Sequence, residues 1–167
     1  IYADTDINNP ERVALLHGGA GIGKSVVMHN ILRHLEEDAG CVVLGLKADQ
    51  VEFLDANDLA RKKCLAKPIV SIIREQAQSV GRVVLLVDQI DALSLSLSSN
   101  RTPLRSILNL IEQVRSIPHV RVVISCRPYD IEYDPLLGGL DISQKWELGK
   151  LTKEQVSEVL TQHGRHE

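Results

Sequence analysis

Aromatic side chains are scarce in this chain of 167 residues. They make up 3% of the sequence, although 44% of the residues are hydrophobic. The core must therefore be aliphatic, built from valine, isoleucine, leucine and alanine. Proteins that bind single-stranded nucleic acids stack the bases on aromatic side chains, so this mode of recognition has almost no basis here.

An excess of basic residues is also lacking. The 19 Lys and Arg residues against 22 Asp and Glu residues give a formal net charge of -3. Binding to nucleic acid by phosphate neutralisation needs a basic surface, so a nucleic-acid partner is not expected. No apolar run approaches the ~20 residues that span a bilayer, and no secretory signal opens the chain, so no membrane association is expected. The chain begins with Ile1 rather than Met, which indicates a piece of a longer protein.

Cysteine is rare as well. Cys41, Cys64 and Cys126 are widely spaced and odd in number. This pattern argues against a disulfide framework and predicts a reducing, cytoplasmic compartment. Cys126 lies in an aliphatic run, where a small core residue is expected rather than a reactive thiol.

Short aliphatic runs alternate with segments of helical period. The runs predict strands at 12–17, 41–46, 82–87, 120–126 and 145–148, and the periodic segments predict helices at 24–37, 68–80 and from 102 onward. Segments 49–58 and 94–100 are expected to be loops. Thr102 is expected to cap its helix, with Pro103 at the first helical position. Strands that alternate with helices predict a parallel sheet covered on both faces.

The end of the chain carries a further helix signal. Thr152 and Gln155 have the spacing of a capping box, and Leu151 and Val156 the spacing of a hydrophobic staple around it. The pattern predicts a helix that ends near Gly164.

The segment GGAGIGKS, residues 18–25, fits the phosphate-binding pattern G-x-x-x-x-G-K-[ST]. Its glycines permit unusual backbone conformations and let N–H groups close on phosphate oxygens. Lys24 is expected to reach the β- and γ-phosphates, and the Ser25 hydroxyl to ligate Mg²⁺. A strand precedes the motif and a helix follows it, which is the context that the motif requires. The alternative is a Gly-rich turn that fits the pattern by chance.

The segment VVLLVDQID, residues 83–91, is an aliphatic strand that ends in a carboxylate, the Walker B pattern. Such a carboxylate faces the crevice where ligands bind. Asp88 is predicted to hold Mg²⁺ through a water, and Asp91 to orient or deprotonate the attacking water. Gln89 is a weaker candidate for positioning that water. Alternatively, both aspartates only end the strand, or Asp91 supports the Mg²⁺ geometry without acting as a base.

The segment VRVVISCRPYD, residues 120–130, brings a cation to the same edge of the sheet. Arg127 is the candidate for sensing the γ-phosphate and stabilising charge in the transition state. The alternative is a surface arginine, or an ion pair with Asp130 or Glu132.

Together, GGAGIGKS, VVLLVDQIDAL and VRVVISCRPYD resemble the motifs of the STAND class of P-loop ATPases, which includes the NACHT type. The segment WELGKLTKEQVSEVL is similar to the lead into the helical domain of that class. The resemblance covers residues 12–160 and is closest to bacterial multidomain members. It implies a three-layer α/β P-loop NTPase of the ASCE type, with a central parallel sheet in the order 5-1-4-3-2. It also implies a nucleotide-binding domain over residues 1–150 and the truncated start of a helical domain over 151–167.

The resemblance further implies an ATP-dependent switch of a larger signalling or defence protein, in which Mg²⁺-dependent hydrolysis controls oligomerisation or effector output. Lys24, Asp91 and Arg127 are then the catalytic residues, and Ser25 and Asp88 hold the metal. The expected partners are ATP or ADP, other domains of the same protein and a nucleotide-dependent homo-oligomer. The residues expected to bind the nucleotide are Gly18, Gly19, Ala20, Gly21, Ile22, Gly23, Lys24, Ser25 and Val26.

Two details qualify this expectation. Many NACHT members have an acidic residue directly after the second aspartate, where this chain has Ala92, so slow hydrolysis is expected. Arg101 and Arg105 would act in trans within an oligomer, or they are simply solvated.

Three other functions stay open at this point. A P-loop small-molecule kinase needs an arginine-rich lid and an acceptor pocket, and no arginine-rich segment stands out. A DNA-linked ATPase of the origin or helicase-loader type has a similar core, but the charge balance and the few aromatics disfavour it. A scaffold that only binds nucleotide would not need Lys24, Ser25 and Asp88 intact.

Overall fold

A computed structural model describes residues 12–50, 53–94, 97, 99–150, 152–155 and 157 of the chain. The strands are β1 Val13–His17, β2 Val42–Lys47, β3 Val83–Asp88, β4 Val120–Cys126 and β5 Gln144–Glu147. The α-helices are α1 Lys24–Glu36, α2 Ala56–Lys62, α3 Ile69–Val80, α4 Thr102–Arg115, α5 Pro128–Tyr133 and α6 Pro135–Gly138. Two 3-10 turns lie at Ala48–Gln50 and Ile90–Leu93.

The five strands form one parallel sheet in the order β2-β3-β4-β1-β5. This confirms the predicted order 5-1-4-3-2, viewed from the opposite edge. Parallel neighbours must be joined by crossovers, and the helices between the strands supply them. Strands β3 and β4 are the most buried, as expected for near-continuous aliphatic runs covered on both faces.

The side chains of β3 show how the two faces are filled. Val83, Leu85 and Val87 belong to a core shared with α3 and α4, whereas Val84 and Leu86 belong to a second core with α1. This alternation follows from the two-residue period of a strand. The result is a three-layer α/β/α arrangement. Among the described residues, Phe53 is the one aromatic in the buried core, which confirms that the core is aliphatic.

Two local predictions were wrong. Residues 49–58 are not all loop, because α2 begins at Ala56, where the Asp55 side chain caps it by accepting from Asn57 N at 2.8 Å and Asp58 N at 2.9 Å. Thr102 is the first residue of α4 rather than its cap, so Pro103 is the second helical residue and not the first. Arg101 lies at the N-cap position without a side-chain cap bond, and Asn100 Oδ1 accepts from Thr102 N at 3.1 Å.

The capping box near the end of the chain is confirmed. Gln155 N donates to Thr152 Oγ1 at 3.3 Å, and Thr152 N donates to Gln155 Oε1 at 2.9 Å. The predicted staple and the predicted helix end at Gly164 lie outside the described residues. The domain division at residues 150 and 151 stays a prediction. Among the described residues, no helix combines the length and apolar character needed to cross a membrane.

Candidate functional site

The carboxyl ends of β1, β3 and β4 lie side by side at one edge of the sheet. The register pairs His17 of β1 with Cys126 of β4, and Val87 of β3 with Ile124 of β4. Gly18 of the phosphate-binding motif directly follows β1, Asp88 is the last residue of β3, and Arg127 directly follows β4. The three motifs therefore meet at a single edge, where α/β sheets bind their ligands.

The phosphate loop between β1 and α1 has the geometry of an anion cradle. Gly21 has φ +75° and Gly23 has φ +97°, and a Cβ at either position would meet no atom within 4 Å. These left-handed conformations turn the chain into α1, whose first backbone N–H groups attract anions. Lys24 is buried, and its Nζ donates to Gly18 O at 2.8 Å and Gly19 O at 3.0 Å. The loop thus surrounds the ammonium group of Lys24 and fixes one positive charge against its backbone.

The two predicted metal ligands are joined by a chain of hydrogen bonds. Gln89 Nε2 donates to Ser25 Oγ at 3.1 Å, and Gln89 N donates to Ser125 Oγ at 2.9 Å. The Ser125 hydroxyl donates in turn to Asp88 Oδ1. A hydroxyl and a carboxylate are hard oxygen donors of the kind that Mg²⁺ prefers, so the residues present fit this ion.

A larger protein cage for a metal is not found. Within the part of the chain that is described, no group of three or more His, Cys, Asp or Glu side chains is placed to hold a metal ion. A phosphate-loop site does not need one, because nucleotide phosphates and water supply the remaining Mg²⁺ ligands.

The arginine segment forms a buried charge cluster with two carboxylates. Arg127 Nε lies 2.8 Å from Asp91 Oδ2 and 2.9 Å from Asp130 Oδ2. Asp91 is 9% exposed and Asp130 is 2% exposed. The Ser94 hydroxyl donates to Asp130 Oδ1, which anchors the second carboxylate. The ion pair with Asp130 was foreseen as an alternative, whereas the pairing of Arg127 with Asp91 was not.

Outside the two ion-pair contacts, two further atoms of this cluster are buried without a hydrogen-bond partner among the described residues. They are Asp91 Oδ1, an acceptor, and Arg127 Nη2, a donor. Buried polar atoms are almost always satisfied, so an exception at the ligand edge of a sheet indicates groups that serve a bound molecule. One carboxylate oxygen and one guanidinium nitrogen suit a water and a phosphate oxygen, respectively.

The surroundings of Asp91 change its acidity. Burial raises the pKa of Asp91 above its ordinary value of 3.8, because desolvation disfavours the carboxylate. The charges of Arg127 and Lys24 oppose this rise in pKa, and the charge of Asp130 adds to it. A carboxylate with a raised pKa is a better proton acceptor near neutral pH. Burial also raises the pKa of the Cys126 thiol, as expected of a core residue.

Arg101 and Arg105 were the two candidates for a role in trans, and Arg101 makes its contacts within its own chain. Arg101 Nη2 lies 2.6 Å from Asp134 Oδ1, and Arg101 Nη1 donates to Leu93 O at 3.1 Å. These contacts tie the start of α4 to α6 and to the turn after β3. Arg105 is exposed, in line with the solvated alternative.

A cavity of about 370 Å³ opens beside Ser25 and Asp88. Its walls come from α1, β2 and β3 and include Met28, Leu32 and Leu86. The cavity therefore adjoins the predicted metal site on the side of the sheet's β2 edge.

Comparison with known protein families matches residues 12–167 to the NACHT domain. This match covers almost the whole chain. The chain belongs to the NACHT family. The family consists of P-loop NTPase domains of the STAND class, which confirms the class inferred from the three motifs. No functionally curated protein matches the NACHT chain described here.

Two solved structures support the fold. A chain in the structure of the E. coli MS115-1 HORMA:CdnC:Trip13 complex has a TM-score of 0.55 and 16% identity, and the match covers 91% of the NACHT chain and 52% of the other. The structure of C. elegans PCH-2 has a TM-score of 0.53 and 16% identity, and the match covers 98% of the NACHT chain and 44% of the PCH-2 chain. The NACHT chain thus spans about half the length of these neighbours, and at this identity the likeness concerns the fold alone.

The acidity of Asp91 leads to a prediction about stability. Because the pKa of Asp91 is raised on folding, ionising this group costs stability as the pH rises from its ordinary pKa of 3.8 through the higher folded value. An Asp91→Asn variant escapes this cost and leaves Arg127 paired with Asp130. We expect its unfolding temperature, relative to wild type, to be higher at pH 7 than at pH 4. Thermal unfolding of both proteins at both pH values measures this, and a relative loss of stability at pH 7 would contradict it.

Proposed function

We propose that this NACHT domain binds ATP with Mg²⁺ and hydrolyses the β–γ phosphoanhydride bond, as the switch domain of a larger signalling or defence protein. The observation that carries the proposal is the meeting of three groups at one sheet edge. They are the phosphate loop around Lys24, the residues Ser25 and Asp88, which are linked through Gln89 and Ser125, and the Asp91–Arg127 ion pair. Each group supplies a different requirement of triphosphate hydrolysis.

Nucleotide binding is assigned to the loop and the first turn of α1. Backbone N–H groups from Gly18 to Ser25 and the Lys24 ammonium neutralise the phosphates. Val26 is 63% exposed and lies directly after the loop, where an apolar contact with the nucleoside is available. Ser25 and Asp88 would hold Mg²⁺, which would supply positive charge to offset the charge of the phosphate groups.

The hydrolytic step is assigned to the buried charge cluster. A water attacks the γ-phosphorus, the bond to the bridging oxygen breaks, and ADP leaves. The proton of the water passes to Asp91 Oδ1, which is the oxygen that Arg127 does not pair with. Arg127 Nη2 donates to the γ-phosphate oxygens as their charge develops.

Slow turnover follows from the same cluster. Arg127 divides one positive charge between two carboxylates, so less of that charge is available to stabilise the γ-phosphate as hydrolysis proceeds. The segment also has Ala92 where many NACHT members have a further acidic residue. The domain is therefore suited to holding nucleotide for a long time, as a switch requires. Control of a homo-oligomer and of an effector belongs to this proposal and is supported by the family resemblance.

A small-molecule kinase has one observation in its favour, the cavity beside Ser25 and Asp88, where a phosphate acceptor could lie. The described lining of this cavity is largely apolar, and its basic side chains are His29 and Lys47 rather than arginines. ATP hydrolysis is the better-supported reaction. Transfer of phosphate from ATP to a metabolite, measured directly, would favour the kinase.

Removal of the loop cation tests nucleotide binding. Lys24→Ala should weaken binding of ATP about 10- to 100-fold, because a charge-assisted contact to phosphate contributes roughly 1.5–3 kcal/mol. Titration calorimetry measures the affinity. Lys63→Ala, which removes an exposed ammonium at the end of α2, is the control and should leave affinity unchanged. Equal affinity of wild type and Lys24→Ala would overturn the assignment.

Removal of the proposed base tests the hydrolytic step. Asp91→Asn should keep nucleotide affinity and lower kcat about 100-fold or more, as is usual when a general base is lost. Phosphate release at saturating ATP reports kcat. Asp134→Asn is the control, because Asp134 is also buried, at 2% exposed against 9% for Asp91, but pairs with Arg101 rather than with Arg127. Turnover that is unchanged in Asp91→Asn would remove Asp91 from the base role.

A further inference from the structure

Gln89 has a backbone conformation that glycine normally supplies. Its φ is 58° and its ψ is 41°, in the left-handed region, directly after Asp88. Among the described residues, three that are not glycine have a positive φ, namely Cys64, Gln89 and His119. Of these, Gln89 lies at the nucleotide edge of the sheet. Strained backbone conformations cluster at functional sites, so the conformation of Gln89 indicates a role for its side chain.

Three hydrogen bonds hold Gln89, and only one of them requires its side chain, since Ala92 N also donates to Gln89 O at 3.0 Å. The backbone N–H donates to Ser125 Oγ at 2.9 Å, and glycine would make the same bond without strain. The side-chain Nε2 donates to Ser25 Oγ at 3.1 Å, a bond that glycine cannot make. The side-chain contact with Ser25 is therefore the feature that distinguishes glutamine here.

The contact engages an atom that the metal needs. A serine hydroxyl oxygen accepts through its lone pairs. An N–H donor and a metal cation must both approach the oxygen from the side of these lone pairs. The hydrogen of an amide N–H carries partial positive charge, so it repels Mg²⁺ at the same oxygen. The bond between Gln89 and Ser25 and the ligation of Mg²⁺ by Ser25 therefore compete.

We propose that the Gln89 side chain is a latch on the Mg²⁺ site, bonded to Ser25 before metal binds and displaced when Ser25 ligates the metal. The inference rests on the proposed function, because it takes Ser25 as a Mg²⁺ ligand. The latch stabilises the metal-free form by one hydrogen bond and so weakens binding of Mg²⁺ with nucleotide. A ligand shifts an equilibrium only by its difference in affinity for the two forms, and the latch sets part of that difference.

The hydrogen bond from Gln89 N to Ser125 Oγ keeps the backbone of Gln89 in place, so only its side chain moves when the latch is released. Gln89 N and the Ser125 hydroxyl link the end of β3 to β4, and Ser125 also holds Asp88. Release of the side chain from Ser25 leaves these bonds intact. The displaced amide therefore stays next to the metal site and can bond there again when Mg²⁺ leaves.

The test compares ADP affinity in excess Mg²⁺ with ADP affinity in EDTA, by calorimetry on the full chain. Gln89→Gly removes the latch and keeps the backbone bond. We expect it to increase the gain in affinity caused by Mg²⁺ about three- to tenfold over wild type, the size of one ordinary hydrogen bond. Gln89→Asn also tolerates the left-handed conformation but is one methylene shorter, and it should behave like Gln89→Gly.

His119→Gly is the matched control for backbone strain. His119 has φ 65° in the turn before β4, at the opposite edge of the sheet from the phosphate loop. His119→Gly should raise the unfolding temperature by relieving strain, whereas in Gln89→Gly the loss of the bond to Ser25 offsets that gain. Only Gln89→Gly should change the effect of Mg²⁺ on ADP affinity.

Three outcomes would overturn the latch. If Mg²⁺ increases ADP affinity equally in wild type and in Gln89→Gly, the amide does not compete with the metal. A smaller gain in Gln89→Gly means that the amide supports the metal. Absence of ADP binding to wild type would overturn the proposed function and the latch together, whereas the first two outcomes leave nucleotide binding in place.

Discussion

Parallel pairing of β1, β3 and β4 is the constraint on which the rest of this structure depends. In a parallel sheet every strand ends at the same edge, so groups that follow different strands become neighbours without being close in sequence. Lys24, Asp88 and Arg127 come together in this way from three separate segments. The strands are aliphatic over most of their length, and the polar groups of the site lie at their carboxyl ends, as Asp88 and Ser125 do, and in the turns that follow them. The scarcity of aromatics fits this arrangement, because the strands fill both cores with branched aliphatic side chains.

Buried polar contacts then determine how the turns are held. One set runs from Ser25 through Gln89 and Ser125 to Asp88. A second set joins Asp91, Arg127 and Asp130, and Ser94 anchors it. Buried ion pairs contribute little net stability, since the loss of hydration offsets the attraction between the charges. The ion pairs instead fix the positions of Asp91 and Arg127, the proposed base and cation, and the hydrogen bonds do the same for Ser25 and Asp88, the proposed metal ligands.

Much of this site could be predicted from sequence, because its signals are local. The strand before residues 18–25 and the helix after them identify the phosphate loop, and aliphatic runs followed by Asp88 and Arg127 identify two more strand ends. The pairing of Arg127 with Asp91 could not be predicted, since it depends on the side-chain geometry of two segments that meet only in the folded sheet. The left-handed backbone of Gln89 has no sequence signal, because glutamine rarely adopts it. Helix α2 was missed in a polar segment where Asp55 supplies the cap.

The most direct test of this account is a crystal structure of the chain with a non-hydrolysable ATP analogue and Mg²⁺. The account predicts the triphosphate in the loop from Gly18 to Ser25, with Lys24 at the β- and γ-phosphates. It also predicts Mg²⁺ on Ser25 Oγ, and Gln89 Nε2 displaced from that oxygen. A triphosphate bound away from this loop, or a metal bound without Ser25, would contradict the central claim that the parallel sheet builds one nucleotide site from these three strand ends.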